Sequence, residues 1–315
     1  MLTSISFGPV PSRRLGSSLG VNNIPSKYCT YSCVYCQVGR TVNLTLQRRE
    51  FYESSEIYRD VEKRMSELEK YEIKIDYITF VPDGEPTLDR NLGNSIRSLR
   101  ELSIPIAVLT NGSLLWREDV RGDLMNADLV SIKVDAVNEA IWRKINRPHP
   151  GLQLDRILGG IKRFTEEFEG AVITETMVID GIDYREEAHH IADFLGVLRI
   201  RRAYISIPTR PPAERWVKQP TSRTLREIHN AFYSVLGGKT EYLTAYEGDK
   251  FVLVEDVEEE ILGILSVHPV DERTLRSLLK RKNVDFDIIH KLKEEGEVME
   301  ITYGGRKFYR RRIKD

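Results

Sequence analysis

The sequence predicts an α/β protein, a largely parallel sheet joined by helices, followed by a small helical unit that ends in a two-stranded wing. Three observations carry this reading. Six short β-rich runs alternate with amphipathic helical stretches between residues 19 and 207, and parallel neighbours need a crossover that a helix supplies. A proline-rich break over residues 208–220 reads as a stiff, irregular connection. Beyond residue 256 the rhythm changes to three short helices and a hairpin, a change that marks a further domain.

In chain order, Gly8-Pro9-Val10-Pro11-Ser12-Arg13-Arg14-Leu15-Gly16 is turn-rich and leads to a short strand at 19–23. Arg13 and Arg14 are candidate anion contacts or, equally, solvated loop charges. A helix is expected over 54–70, where Ile57, Val61, Met65 and Leu68 recur at helical spacing. The strand at 75–81 ends in Pro82-Asp83-Gly84-Glu85-Pro86, and a strand running into a Gly/Pro loop with a carboxylate is a usual place for a binding residue. The pattern repeats with helix 91–102, strand 104–109 and the loop Thr110-Asn111-Gly112-Ser113, then helix 118–125, strand 127–134 and a loop from Asp135 through Asn146-Arg147-Pro148-His149-Pro150. Helix 152–168, strand 171–179, helix 185–195 and strand 202–207 complete it. Loops after strand C-termini gather on one rim, so the cysteine loop, Gly84-Glu85, Thr110-Asn111, Asp135 and Thr209-Arg210 are expected to face one pocket.

Three segments follow: a core over 1–220, a connecting helix and strand pair over 221–255, and a terminal unit over 256–315. The strand pair is placed at 242–246 and 250–254, around Glu247-Gly248-Asp249. The terminal unit resembles a winged helix-turn-helix whose wing carries Arg306, Lys307, Arg310, Arg311, Arg312 and Lys314. These would suit a phosphate backbone; a docking or dimerisation module is the other reading. Lys and Arg total 47 against 48 Asp and Glu, which excludes a globally basic chain, so any nucleic-acid contact has to come from a local patch. The N-terminus lacks a basic stretch followed by an apolar one, and no window approaches the length of a membrane span. A cytoplasmic protein with no membrane contact is expected.

All three cysteines fall within Cys29-Thr30-Tyr31-Ser32-Cys33-Val34-Tyr35-Cys36, at the spacing C-x3-C-x2-C. An odd number crowded into one loop points to metal ligation or redox chemistry rather than a disulfide framework. A four-iron cubane held by three cysteines keeps one iron without a protein ligand. The competing zinc site would need a histidine, but structural zinc uses paired C-x2-C-like half-sites and this loop contains no histidine.

With these motifs the sequence resembles the radical S-adenosylmethionine (SAM) superfamily. The resemblance rests on the cysteine spacing with an aromatic, Tyr35, before the last ligand, and on Asp83-Gly84-Glu85-Pro86, which is similar to the superfamily's Gly-Gly-Glu segment. Over roughly residues 7–210 it implies a partial (β/α)6 barrel with a [4Fe-4S] cluster at its open rim. Cys29, Cys33 and Cys36 would ligate three irons, with S-adenosyl-L-methionine chelating the fourth. Gly84 and Glu85 would hold the methionine amino group. Tyr35 would lie beside adenine, and Asn111, Ser131, Lys133 and Asp135 near the ribose or carboxylate; each could equally satisfy loop backbone. The implied reaction is reductive cleavage to a 5′-deoxyadenosyl radical and hydrogen abstraction from a substrate.

A narrower resemblance links Phe7 to Gly16 and Asn146-Arg147-Pro148-His149-Pro150 with iron–sulfur oxidoreductases classed beside the wyosine-tRNA synthesising enzymes. Arg13, Arg14, Arg147, His149 and Arg210 are the candidate substrate contacts. The characterised wyosine-type relatives carry additional N-terminal cysteines for a second cluster and this chain has none, which disfavours auxiliary-cluster chemistry and wyosine-type condensation. An external one-electron donor such as flavodoxin or ferredoxin is expected. The substrate would be RNA, reached through the C-terminal domain, or alternatively a protein or small metabolite, as for an activase. An iron–sulfur or zinc-dependent DNA-binding regulator is the non-enzymatic reading.

Overall fold

The computed structural model describes residues 5–244 and 256–312 together with Phe251 and Leu253. Its main sheet is built from β1 (Ser6–Ser12), β2 (Gly16–Val21), β5 (Tyr77–Phe80), β6 (Ile106–Thr110), β7 (Leu129–Lys133), β8 (Ala171–Met177), β9 (Arg202–Ser206) and β10 (Thr240–Leu243), in that spatial order. The hairpin β1–β2 is antiparallel and every later pairing is parallel. Two short strands, β3 (Tyr28–Cys29) and β4 (Asn43–Leu44), pair in parallel and carry the cysteine loop between them. The crossovers are α1 (Ser54–Glu69), α2 (Leu92–Leu99), α3 (Glu118–Leu124), α4 (Glu139–Asn146) with α5 (Leu154–Glu167), α6 (Glu187–Gly196) and α7 (Ser222–Leu236).

The crossover helices form for reasons visible in the residues. In α1, Glu53 and Glu56 make a reciprocal capping box, satisfying donors that a helix start leaves open, and Ile57, Val61 and Leu68 turn a buried face to the sheet. They join one core cluster with the outward faces of the central strands, such as Ile78, Val108 and Val130.

The sheet curls, as a partial (β/α)6 barrel requires. A flat sheet would hold β2 and β8 roughly 19 Å apart across four strand spacings. Arg14, in the β1–β2 turn, nonetheless pairs with Glu175 on β8. Leu15 beside it is buried with Ala107, Leu129 and Ile173. The hairpin turn thus plugs the lower end of the open barrel with an apolar side chain and sends a cation up the lumen.

Three elements depart from the sequence expectation. The turn-rich stretch before residue 16 contains β1, whose register shifts between Phe7 and Val10; the prolines fit because β1 is an edge strand. The expected loop from Asp135 to Asn146 contains α4, started by Asn138, whose side chain accepts from Ala140 N at 2.9 Å and Ile141 N at 3.2 Å, and fastened by buried Trp142. Eight residues give too few turns for a clear period. Segment 221–255 is not a mere connection, because α7 and β10 continue the main sheet, with Thr240 opposite Ala203. Most of the second strand of the expected pair lies outside the described residues.

The terminal unit consists of α8 (Val257–Val267), β11 (Val270–Asp271), α9 (Glu272–Arg281), α10 (Asp287–Glu294), β12 (Val298–Tyr303) and β13 (Arg306–Arg311), with sheet order β11-β13-β12. Ile261, Leu265, Leu278 and Ile289 lie in its own core. It covers β1, an edge that would otherwise expose unpaired backbone. Arg64 of α1 fastens it, donating to Glu260 at 2.8 and 3.0 Å and to the Gly8 carbonyl at 2.6 and 3.0 Å. Its basic wing is partly neutralised internally: Lys307 meets Glu300 at 3.4 Å and Arg311 meets Glu297 at 3.6 Å. Arg310 turns inward, and Lys314 lies outside the described residues. No helix among the described residues is long and apolar enough to cross a membrane.

Candidate active site

The cysteine loop is moored by backbone to the end of α4. Ser32 N donates to Asn146 O at 3.0 Å, Val34 N to Ile145 O at 2.9 Å, and His149 N to Thr30 O at 2.9 Å. Within the loop, Cys36 N donates to Cys33 O at 3.1 Å and Gly39 N to Cys36 O at 3.1 Å. The three thiols are half-buried. Burial, then the Glu85 charge, pushes the Cys29 thiol up; burial, then Asp135, raises Cys33 to about 12. Metal ligation needs thiolates, so a bound cation would have to offset this burial. Among the described residues no group of three His, Cys, Asp or Glu is arranged around a single metal ion, whereas a cubane takes one thiolate per iron. The donor set, three soft thiolates on one loop, fits such a cluster.

Glu85 is the buried carboxylate beside this loop. Its Oε1 accepts from Thr87 N at 3.1 Å, Thr87 Oγ1 at 2.6 Å and Thr110 Oγ1 at 2.6 Å, and its Oε2 accepts from Asn111 N at 2.8 Å. Burial raises its pKa, and these four donors oppose the rise. Oε2 has a single protein donor and keeps acceptor capacity. Gly84 also makes a close contact within the chain. A Cβ there would stand 2.0 Å from Tyr28 O and 2.7 Å from Ile24 Cδ1, so the close backbone approach is to the strand bearing Cys29. Glu85 N completes that contact, donating to Tyr28 O at 3.0 Å.

Asn111 sits at the first thiol, its amide 3.6 Å from Cys29 Sγ and donating to Thr30 Oγ1 at 2.8 Å. Tyr35 and Asp135 are joined directly, phenol to carboxylate. Asp135 also accepts from Asn146 Nδ2 at 2.7 Å and from Met177 N at 2.9 Å. Lys133 Nζ lies 5.4 Å from the centre of the Tyr35 ring and 2.7 Å from Glu175 Oε1. Ser131 is buried on the same strand. The cysteine loop and the loops carrying Glu85, Asn111 and Asp135 therefore meet, with Cys33, Tyr35, Lys133, Asp135 and Glu175 in one connected set. Burial works against ionisation of Glu175, but Arg14 and Lys133 outweigh it and hold the carboxyl at about 2.

The candidate substrate contacts are mostly engaged within the chain. Arg14 has its anion in Glu175, and Arg13 beside it is half-buried. Arg147 pairs with Glu214 at 2.5 Å, a carboxylate that Arg40 also reaches at 2.9 Å. The His149 ring Nδ1 accepts from Gly151 N at 3.0 Å and shapes a turn. Arg210 lies 3.3 Å from Gln37 Oε1, one residue past Cys36, and beside His268 of the terminal unit. Thr110, expected at the rim, donates to Glu85, whereas Asn146, which holds Asp135, is a site residue that the sequence reading does not single out. Asn146 opens the Asn-Arg-Pro-His-Pro motif, and a polar residue before a left-handed arginine, Arg147 at φ 45°, is the trace it leaves.

The radical SAM superfamily profile matches residues 23–195. A UPF0026 protein of Methanocaldococcus jannaschii is 50% identical over 313 residues, 99% of this chain and 97% of that protein. A UPF0026 protein of Synechocystis is 35% identical over 66% of this chain and 77% of its own length. Among solved structures, Streptococcus suis SuiB bound to S-adenosylmethionine overlays 71% of this chain with a TM-score of 0.52 at 16% identity, and the chain spans about half of SuiB, 49%. A radical SAM methyltransferase from Sphaerobacter thermophilus overlays 72% of this chain and 67% of its own, with a TM-score of 0.53 at 17% identity. At those identities the structural likeness is one of fold.

Proposed function

This chain belongs to the radical SAM superfamily, an enzyme family that uses a [4Fe-4S] cluster and S-adenosylmethionine, and on that premise we propose that it abstracts hydrogen from an RNA substrate. The observation that carries the chemistry is the set of three thiols, Cys29, Cys33 and Cys36, beside the buried Glu85 carboxylate in a chain with no fourth cysteine. Three ligands leave one iron open to a small molecule. When bound, the reduced cluster would supply one electron to SAM, whose cleavage to methionine would provide the hydrogen-abstracting chemistry. The chain's residues bind and orient: the three cysteines would hold the irons, and Glu85 Oε2 offers an acceptor for an amino group. Asn111 and Asn146 present amide hydrogens toward Cys29 and Cys33, and hydrogen bonds to ligand sulfur tune a cluster's potential.

Support for RNA comes from the likeness of the Phe7–Gly16 and Asn146–Pro150 segments to enzymes classed beside tRNA-modifying ones. With no further cysteine for a second cluster, an external one-electron donor of the flavodoxin or ferredoxin kind completes the reaction. A protein substrate is the second reading. It is favoured by a cleft of about 1030 Å³ between Pro211–Trp216 and the β12 edge, which reaches Gly39 just past the cysteines.

Anaerobic reconstitution with iron and sulfide, then dithionite and SAM, tests the chemistry. 5′-Deoxyadenosine is expected from the wild type and not from C29A, C33A or C36A; an intact cluster that yields none refutes it. Comparing nucleosides and tryptic peptides of a deletion strain tests the substrate class, with a nucleoside change expected and a peptide change alone favouring the second reading.

A further inference from the structure

We propose that the cleft opening beside residues 46–50 binds the phosphodiester backbone of RNA, a placement that rests on the RNA reading above and moves the contact from the wing to the barrel rim. The cleft has a volume of about 540 Å³ and is lined by Arg48, Arg49, Arg90 and Arg117, with Glu50 its one carboxylate. In a chain with 47 basic and 48 acidic residues, this lining gathers four guanidiniums, two of them paired to Asp119 and Asp123 and two, Arg49 and Arg90, facing Glu50 alone; a local basic patch of this kind is the electrostatic footprint of nucleic acid.

The four arginines divide by what already holds them. Arg48 is buried and structural: it donates to Thr87 O and Asp89 O, each at 2.8 Å, and reaches Asp119 and Asp123. Arg117 shares Asp119. Arg49 and Arg90 are exposed and, among the described residues, neither has a carboxylate partner; Arg49 meets only the Gln47 side chain, at 3.0 Å. Guanidinium forks match phosphate oxygens in two-point geometry. Past Arg117, exposed Arg156 stacks 3.7 Å from the centre of the Trp116 ring, a flat cation of the kind unpaired bases stack on.

The placement ties the cleft to the chemistry. Arg49 follows β4, the strand paired with the one bearing Cys29, and Arg49 O accepts from Arg90 N at 2.8 Å. Arg90 follows the Gly84-Glu85 loop, and Arg117 follows the Asn111 loop. Each thus comes from the stretch downstream of a loop that builds the candidate site, so a strand held here crosses the same rim. An open cleft with guanidiniums from separate segments suits successive phosphates of a strand better than one enclosed phosphate.

Fluorescence anisotropy with a fluorescein-labelled oligouridylate and a labelled RNA hairpin, over a series of KCl concentrations, tests the proposal in the full chain. R49A/R90A is expected to bind about tenfold more weakly near physiological salt, and its slope of log K against log salt is expected to fall by roughly 1.4, about 0.7 for each single-strand phosphate that an arginine no longer neutralises. R49K/R90K should keep most of the slope, and R306A/R312A in the wing should bind as the wild type does. Unfolding midpoints within about 2 °C of wild type, as exposed substitutions allow, confirm that the variants fold. Wild-type affinity and slope in R49A/R90A overturn the cleft while leaving the RNA reading standing. No binding of either RNA by the wild type removes both. Displacement by ATP as effective as by unlabelled oligouridylate overturns the strand in favour of a nucleotide site.

Discussion

The side-chain amide of Asn146 lies 3.4 Å from the Cys33 sulfur while donating to the Asp135 carboxylate at 2.7 Å. One residue at the end of α4 thus connects Cys33, a proposed cluster ligand, to the carboxylate that also receives the Tyr35 phenol. In N146A, Asp135 loses a buried partner and Cys33 its nearest amide. The expected cost is about 1–3 kcal/mol, read as a fall of a few degrees in unfolding midpoint. Iron per chain after anaerobic reconstitution should fall, and release to a ferrous chelator should quicken. Unchanged iron content and release would show that Asn146 only supports Asp135.

The thiol cluster and the strand-end rim are legible in the sequence because both are local: a spacing of cysteines, and β-rich runs closed by turn residues. Asn146 stays hidden because its importance comes from where α4 ends, and α4 has only eight residues. Arg14 is legible as an anion contact, but its partner Glu175 lies 161 residues away and meets it only because the sheet curls. Arg210 is legible as a strand-end cation, but its contacts with Gln37 and His268 depend on a domain whose docking no local pattern states. In the basic wing, Glu297 and Glu300 engage two of the cations, pairings that no local pattern states.

Leu15 should be among the costlier single truncations in the core. It fills the lower end of the barrel against Ala107, Leu129 and Ile173 and is 3% exposed. The hairpin turn has no other apolar side chain to replace it. L15A is expected to lose about 2–5 kcal/mol, measured by urea unfolding of the apoprotein. A loss below about 1 kcal/mol would mean that the β1–β2 turn is not a plug.

Arg310 joins the terminal unit to the cysteine loop. Its NH1 donates to Gln37 O at 3.3 Å, and Gln37 Nε2 donates to Val267 O at 2.9 Å, so the residue after Cys36 is held from both sides. Burial lowers the Arg310 pKa, a sign that its charge is kept out of water. Q37A/R310A should loosen this cover, and the reconstituted cluster should bleach severalfold faster in air, followed by its visible absorbance. Bleaching at the wild-type rate would show that the terminal unit does not shield the loop.

Glu175 gives the clearest dependence on pH. Its folded carboxyl is held at about 2, below the ordinary 4.5, since Arg14 and Lys133 overcome the effect of burial. A depressed carboxyl pKa contributes stability that is fully present above 4.5 and is lost as pH falls from there through about 2. The linkage is on the order of 3 kcal/mol at neutral pH, shared among three charges in the lumen rather than belonging to one. E175Q should therefore be less stable than wild type at pH 7, and the difference should narrow between pH 4.5 and about 2. Urea midpoints of the apoprotein across that range would show it. A gap that persists unchanged down to pH 2 would assign the loss to packing in the lumen, with no part played by the Arg14–Glu175–Lys133 charges.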